Sequence, residues 1–437
     1  MRRLLSRLLV SLVLCLPLSA VLAQGLDIGL VVGNEAALPI AVVPMPYQGA
    51  GPAPETDIAG VIRADLNRSG QFRSIPEASL AERPTRGSEI RFPTWQLLKQ
   101  DFVVVGRVAD TGDGSYRVEY ELYDVARQER LLGLALSGRG KGLRDVAHQI
   151  ADQIYEKILG VRGAFWTRIA YVTASGVGPS IRYALMVADS DGINPQAVTR
   201  SGEPLLSPAW SPDGKRIAYV SFERGNSTIY VQEINTGARE VVASFKGING
   251  APAFSPDGRR LAMTLSKGGN PEIYVMDLGT KALTQITHHF GIDTEAAWTA
   301  DGNLVFTSDR AGKPQIYQVS AGGGEPSRMS FAGDSNARAN VSFDGKKIAA
   351  AQGNGNVYRI AVLDRGFGGS GRWQTLSPGN LDESPSFAPN ASMLLYAAKE
   401  GRRGVLWAVS ADGRVRQRLV LADGDVREPA WSPYRQR

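Results

Sequence analysis

One short segment returns six times, whole or worn, toward the C-terminal end of the chain. It reads Pro208-Ala209-Trp210-Ser211-Pro212-Asp213-Gly214, then Pro252-Ala253-Phe254-Ser255-Pro256-Asp257-Gly258, then Ala296-Ala297-Trp298-Thr299-Ala300-Asp301-Gly302, then Ala339-Asn340-Val341-Ser342-Phe343-Asp344-Gly345. Pro385-Ser386-Phe387-Ala388-Pro389-Asn390 is a worn copy, and Pro429-Ala430-Trp431-Ser432-Pro433 ends the series. The apolar marker falls at 210, 254, 298, 341, 387 and 431, so the spacings are 44, 44, 43, 46 and 44. A period of this length with turn residues at fixed offsets is the pattern of propeller blades, each a four-stranded antiparallel sheet.

The second repeat predicts strands over 252–255, 261–265, 272–278 and 282–287, with Asp257-Gly258 as the tight turn because glycine accepts positive φ without a steric penalty. The same third-strand pattern returns at 227–234 and 314–319. The ends of the array decide the blade count. Ile169-Ala170-Tyr171-Val172 copies the second strand Ile217-Ala218-Tyr219-Val220, yet no first strand precedes it; Trp431-Ser432-Pro433 is a first strand with nothing after it. The two halves make one blade, so the expectation is a closed ring of six blades rather than an open solenoid.

The chain opens with Arg2, Arg3 and Arg7, an apolar run over 8–22 broken at Pro17, and small residues at Ala20 to Ala23. This predicts a secretory leader cut after Ala23 and a periplasmic location. Leu14 before Cys15 excludes a lipidation site there. Cys15 is the single cysteine, so the mature chain has no disulfide and must rely on core burial, which about 410 residues supply. The chain carries 49 basic and 43 acidic residues; the leader removes three arginines and no acid, leaving an excess of three, too mild for a nucleic-acid partner. No later stretch reads as a membrane span.

Residues 38–162 predict a small α/β domain, and 163–437 the all-β propeller. Ile40-Ala41-Val42-Val43 reads as a strand; 57–69 as an amphipathic helix with Asp57 as N-cap; 102–108 as an apolar strand; 116–125 and 130–137 as a hairpin; and 143–159 as a helix ending at Gly160. Residues 162–167 form the linker, with Trp166 at the junction.

Catalytic and metal signatures are absent. There is no Gly-x-Ser-x-Gly, which a propeller-bearing hydrolase of the prolyl oligopeptidase kind requires. The three histidines are His148, expected near the polar side of the last helix, and His288 and His289, read as solvated loop residues. Asp189-Ser190-Asp191-Gly192 fails as a calcium loop because Arg200 stands at position twelve, and Gly322-Gly323-Gly324 has no helix after it to hold a phosphate. The reading is a protein that is not an enzyme, with no cofactor and no metal, whose function lies in its surfaces; a small ligand held in the propeller channel is the rival.

Leader, small α/β domain and six blades in this order resemble the TolB family of the Tol-Pal cell-envelope system. More specific stretches carry the likeness: Pro39-Ile40-Ala41-Val42-Val43-Pro44, Asp57-Ile58-Ala59-Gly60-Val61-Ile62, Asn249-Gly250-Ala251-Pro252, Tyr274-Val275-Met276-Asp277-Leu278, Phe306-Thr307-Ser308-Asp309, Leu381-Asp382-Glu383-Ser384-Pro385-Ser386 and Pro429-Ala430-Trp431-Ser432-Pro433-Tyr434. The resemblance implies two partners, the lipoprotein Pal over one mouth of the propeller and TolA at the mature N-terminus, in a heteromeric complex with a monomeric chain and room for other outer-membrane or periplasmic proteins. It implies Pal contacts on loops just before the first strands: Ile248, Asn249, Gly250 and Ala251; Asp293, Thr294 and Glu295; Asn336 and Ala337; Asp382 and Glu383. It implies a TolA segment at 24–37 carried by Leu26, Asp27, Ile28, Leu30, Val31 and Val32. Ile248 stands where the family often has His, and Gly29 where it tends to have an apolar residue.

Overall fold

A computed structural model describes residues 37–365, 371–419, 421 and 424–436. The expected leader, its expected cut after Ala23 and the segment bearing Leu26 to Val32 lie outside the described residues.

The first unit is a mixed six-stranded sheet. Strands β1 (Leu38–Val42), β2 (Tyr47–Gln48), β3 (Phe72–Ser74), β4 (Phe102–Asp110), β5 (Tyr116–Asp124) and β6 (Glu129–Gly138) run in the order β3-β1-β4-β5-β6, with β2 also on β4. β1 lies parallel to β3 and β4, and β4-β5-β6 is an antiparallel meander. Helices α1 (Ile58–Arg68) and α3 (Gly142–Leu159) cover one face, while α2 (Phe92–Leu97) brings Trp95 against the other. The run Val103-Val104-Val105 is apolar throughout because both faces of β4 are buried. The Asp57 carboxylate accepts from Gly60 N at 2.9 Å, and Gly160 ends α3 at φ +73°, so both expected caps form.

The second unit is a six-bladed propeller of six four-stranded antiparallel sheets. The chain closes it as the split repeat predicts: the terminal strand Asp425–Trp431 pairs antiparallel with Arg168–Ser175, Trp431 opposite Ile169. The Asp-Gly pairs are turns, with Gly214, Gly258, Gly302 and Gly345 at φ between +66° and +82°. The Asp213 carboxylate accepts from Lys215 N at 3.0 Å and that of Asp257 from Arg259 N at 3.1 Å. In the worn copy Ala391 takes the glycine conformation at φ +56° and Asn390 accepts from Ser392 N, so the turn survives without Asp-Gly.

The first unit packs on the turn side of the propeller. Arg435 holds Asp145 of α3 through two hydrogen bonds of 2.6 and 3.0 Å, and the Tyr434 hydroxyl and Asn390 both donate to Arg162 O. The Arg435 guanidinium lies 4.8 Å over the Trp166 ring, so Trp166 does mark the junction. His148 departs from expectation: it is buried, at 1% exposure. Helix α3 carries an apolar face for the sheet, but the propeller covers a second, polar face, and His148 points into that contact.

Candidate partner-binding surface

The first unit packs against the turn side, so the opposite mouth is the end of the propeller that it leaves free. The sequence-predicted residues lie there, but not on loops. The inner strands begin earlier than the repeat suggests, at Asn249, Asp293, Ser335 and Glu383, so of the eleven only Ile248 and Asp382 precede a strand. The reason is a bulge. Each inner strand loses register for two residues, as between Gly250 and Ala253 or between Thr294 and Ala297, so one strand looks like a loop followed by a strand.

At the bulge, the same position in all six blades has positive φ without glycine: Ser207, Ala251, Glu295, Arg338, Ser384 and Glu428, at φ between +46° and +56°. Six left-handed residues at one level form a neck in the channel. Three of them are ionic. Arg338 Nε stands 3.1 Å from Glu295 Oε1 and its Nη2 2.6 Å from Glu428 Oε2, and Ser207 N also donates to Glu428. Burial disfavours the Arg338 cation, but Glu428 and Glu295 more than offset it and raise its pKa. Burial pushes the Glu295 carboxyl up, against the pull of Arg338. Below the neck the channel holds about 720 Å³, ending in Pro212, Pro256, Ala300, Phe343, Pro389 and Pro433.

The predicted residues divide by role. Asn249, Asp293, Asn336 and Asp382 occupy equivalent positions and are all buried. Asn249, Asn336 and Asp382 each fix the connector before their strand, and Asp293 ties its strand to the turn after the next one. Asn249 accepts from Phe245 N at 2.8 Å and donates to Phe245 O at 2.7 Å; Asn336 donates to Ala332 O at 2.7 Å; the Asp382 carboxylate accepts from Gly379 N at 2.9 Å; Asp293 pairs with Arg310 at 2.7 Å. Burial pushes the carboxyls of Asp293 and Asp382 up. These four shape the mouth rather than face it. Ile248 and Glu383 are exposed, and Gly250, Ala251, Thr294, Glu295 and Ala337 are half-buried.

The sequence reading missed a crescent of exposed apolar side chains on the same rim: Phe290 at 88% exposure, Phe331 at 75%, and Ile292, Leu381 and Tyr358 nearer half. With Ile248 they span four consecutive blades. A cavity of about 530 Å³ opens beside Tyr358 and Leu381, with Ala397, Val426 and Arg338 in its lining. Apolar residues in connectors directly before first strands were the available signal, because polar turn residues are expected there. An apolar rim over a polar neck suits a protein partner. His288 is exposed and the His289 ring accepts from Gly291 N at 2.9 Å, so the pair lies in a rim connector as expected.

Comparison with known proteins fits this architecture. The family model described as TolB beta propeller domain matches residues 155–435, and that described as TolB amino-terminal domain matches 26–131. The chain belongs to the TolB family. It is 71% identical to the Tol-Pal system protein TolB of Xanthomonas campestris pv. campestris over 424 residues, covering 97% of this chain and 96% of that one. The Tol-Pal system protein TolB of Xanthomonas oryzae pv. oryzae is likewise 71% identical, over 425 residues. The crystal structure of TolB from Acinetobacter baumannii superposes with a TM-score of 0.84 at 45% identity, covering 91% of this chain and 97% of that one. Among the described residues, no helix of this TolB-family chain is long and apolar enough to cross a membrane.

Proposed function

We propose that this protein is the non-enzymatic periplasmic coupling component of a Tol-Pal system. Its leader is cut after Ala23. The propeller mouth binds Pal, and residues 24–37 present Leu26, Asp27, Ile28, Leu30, Val31 and Val32 to TolA, so that the outer membrane is kept intact and drawn inward at division. Family membership along nearly the full chain carries this reading. The mouth supports it further: the α/β domain packs on the opposite end, and apolar side chains stand exposed on a scaffold that fixes their connectors from beneath. The test is capture of purified Pal and of the periplasmic part of TolA by the mature protein. Binding of both supports the proposal; a folded protein that retains neither overturns it.

A further inference from the structure

Where the two units meet, ionic side chains gather, five of them buried and Arg144 and Asp189 partly so. From α1 come Asp65 and Arg68; from α3 come Arg144, His148 and Asp152; from the end of the propeller strand Arg182–Asp189 and the turn after it come Asp189 and Asp191. His148 Nδ1 lies 2.6 Å from Asp65 Oδ2, and Arg68 Nη2 3.0 Å from Asp65 Oδ1. Arg68 also donates to Ser190 Oγ at 2.7 Å, and Arg144 pairs with Asp191 and, at 3.5 Å, with Asp189. Asp152 accepts from Phe165 N and Trp166 N in the linker, and Arg435 with Asp145 closes the flank.

The geometry fixes one proton of His148. Its Nδ1 faces a carboxylate acceptor and must carry a proton. Its other nitrogen, Nε2, is buried without a hydrogen-bond partner among the described residues. A ring nitrogen and one carboxylate oxygen from each of Asp65 and Asp191 lie within 4.8 Å of one another. As imidazolium the ring carries a full positive charge beside those two carboxylates; as neutral imidazole it carries none. Protonated, His148 with Arg68 and Arg144 balances Asp65, Asp189 and Asp191; burial pushes the fourth carboxyl, that of Asp152, up to about 6. A divalent cation would instead stand beside two guanidinium groups that already neutralise its carboxylates, so the set suits a proton and not a metal.

We propose that His148 is a proton-operated latch between the α/β domain and the propeller: the imidazolium ties Asp65 of α1 to Asp191 of the closing blade, and its loss loosens their docking. Burial lowers the His148 pKa, but Asp65, then Asp191, raise it by more, so the net direction is up. A docked state with the higher pKa binds more protons. Docking is therefore strongest below the undocked pKa and weakens as pH rises through the docked one.

The protein has three histidines, so His148 is assigned by the imidazole signal that His148→Gln removes. In the mature protein this signal is expected to titrate with a midpoint above about 6.5, and each unit of elevation corresponds to about tenfold in docking. Amide exchange at Phe165, Trp166 and Ile193 is expected to accelerate over that range relative to the distal blades, and the acceleration to vanish in His148→Gln. Asp191→Asn, which keeps the Asp65 contact, is expected to lower the midpoint and supplies the test if His148→Gln does not fold. A midpoint at or below about 6.5, or one unmoved by Asp191→Asn, overturns the latch. So does pH-dependent exchange that persists unchanged in folded His148→Gln.

Discussion

The indole N–H of Trp431 donates to Thr167 Oγ1 at 2.8 Å, joining residues 264 positions apart. Around that bond Trp431 packs in a cluster with Ile169, Tyr171 and Leu395, so the last strand both completes a sheet and fills the wall between two blades. Trp431→Ala is expected to cost about 3–5 kcal/mol of stability. Deleting 429–437 is expected to cost more, because Arg435 and Tyr434 also hold the α/β domain. Urea unfolding measures both. A deletion variant as stable as the parent would mean that the ring holds without its closing strand.

At the mouth, exposed and buried residues are expected to respond differently. Phe290→Ser and Phe331→Ser remove side chains that the fold does not bury, so stability is expected to stay within about 0.5 kcal/mol. If the crescent is the Pal surface, each is expected to weaken Pal by about 1–2 kcal/mol. Ala251→Arg, which puts a charge at the neck, is expected to weaken Pal as well. Asn249→Ala is expected to do the reverse of the rim changes: its connector loses buried hydrogen bonds, at about 1–3 kcal/mol of stability. Calorimetry with Pal and thermal unfolding separate the two classes. Unchanged affinity in all three mouth variants would move the Pal surface elsewhere.

The blade number was legible because a blade has a nearly fixed length, and Trp210, Phe254, Trp298, Val341, Phe387 and Trp431 mark its period. The closure was legible because Ile169 and Trp431 each belong to half a repeat. The neck was not. A left-handed position is normally announced by Gly or Asn, and here Glu295, Arg338 and Glu428 occupy it, held by cross-blade bonds that no local pattern encodes. His148 was misplaced for a related reason. A helical wheel shows which face of α3 meets its own sheet, but not that a propeller turn 47 residues after Arg144 covers the next face. Phe290 and Phe331 escaped because single apolar residues in connectors have no period.

The segment at 24–37 invites a deletion test. Leu26, Ile28 and Leu30 alternate with Asp27 and Gly29, then Val31 and Val32 precede Gly33-Asn34, a strand pattern suited to pairing with a partner's sheet edge. The family match to the amino-terminal domain begins at residue 26. Removing residues 25–36 from the mature protein is expected to abolish TolA capture and leave Pal affinity and propeller unfolding nearly unchanged. Undiminished TolA capture by the truncated protein would reduce the segment to an edge strand of the small domain.

Arg338 supplies the cation between Glu295 and Glu428 at the neck, and it is the group whose loss should show most clearly in pH dependence. Arg338→Met leaves two carboxylates with no counter-ion. A fully buried pair broken this way costs about 3–5 kcal/mol, and the partial exposure of this one, 25% for the Arg338 side chain, reduces the expectation to about 1–3 kcal/mol near neutral pH. The sign with pH follows from Glu295, whose carboxyl burial already pushes up. A carboxyl with a raised folded pKa destabilises the fold where it is ionised and ceases to do so once protonated. The deficit of Arg338→Met is therefore expected to be full at about pH 7.5 and to shrink toward about pH 4.5. Replacing Glu295 and Glu428 by Gln in the same variant is expected to remove most of the pH dependence, because no ionised carboxylate then remains at the neck. Unfolding midpoints of the variants against the parent across that range measure it. A deficit that stays constant with pH would show that Arg338 acts through packing alone, and that the ionic contacts across the neck contribute little.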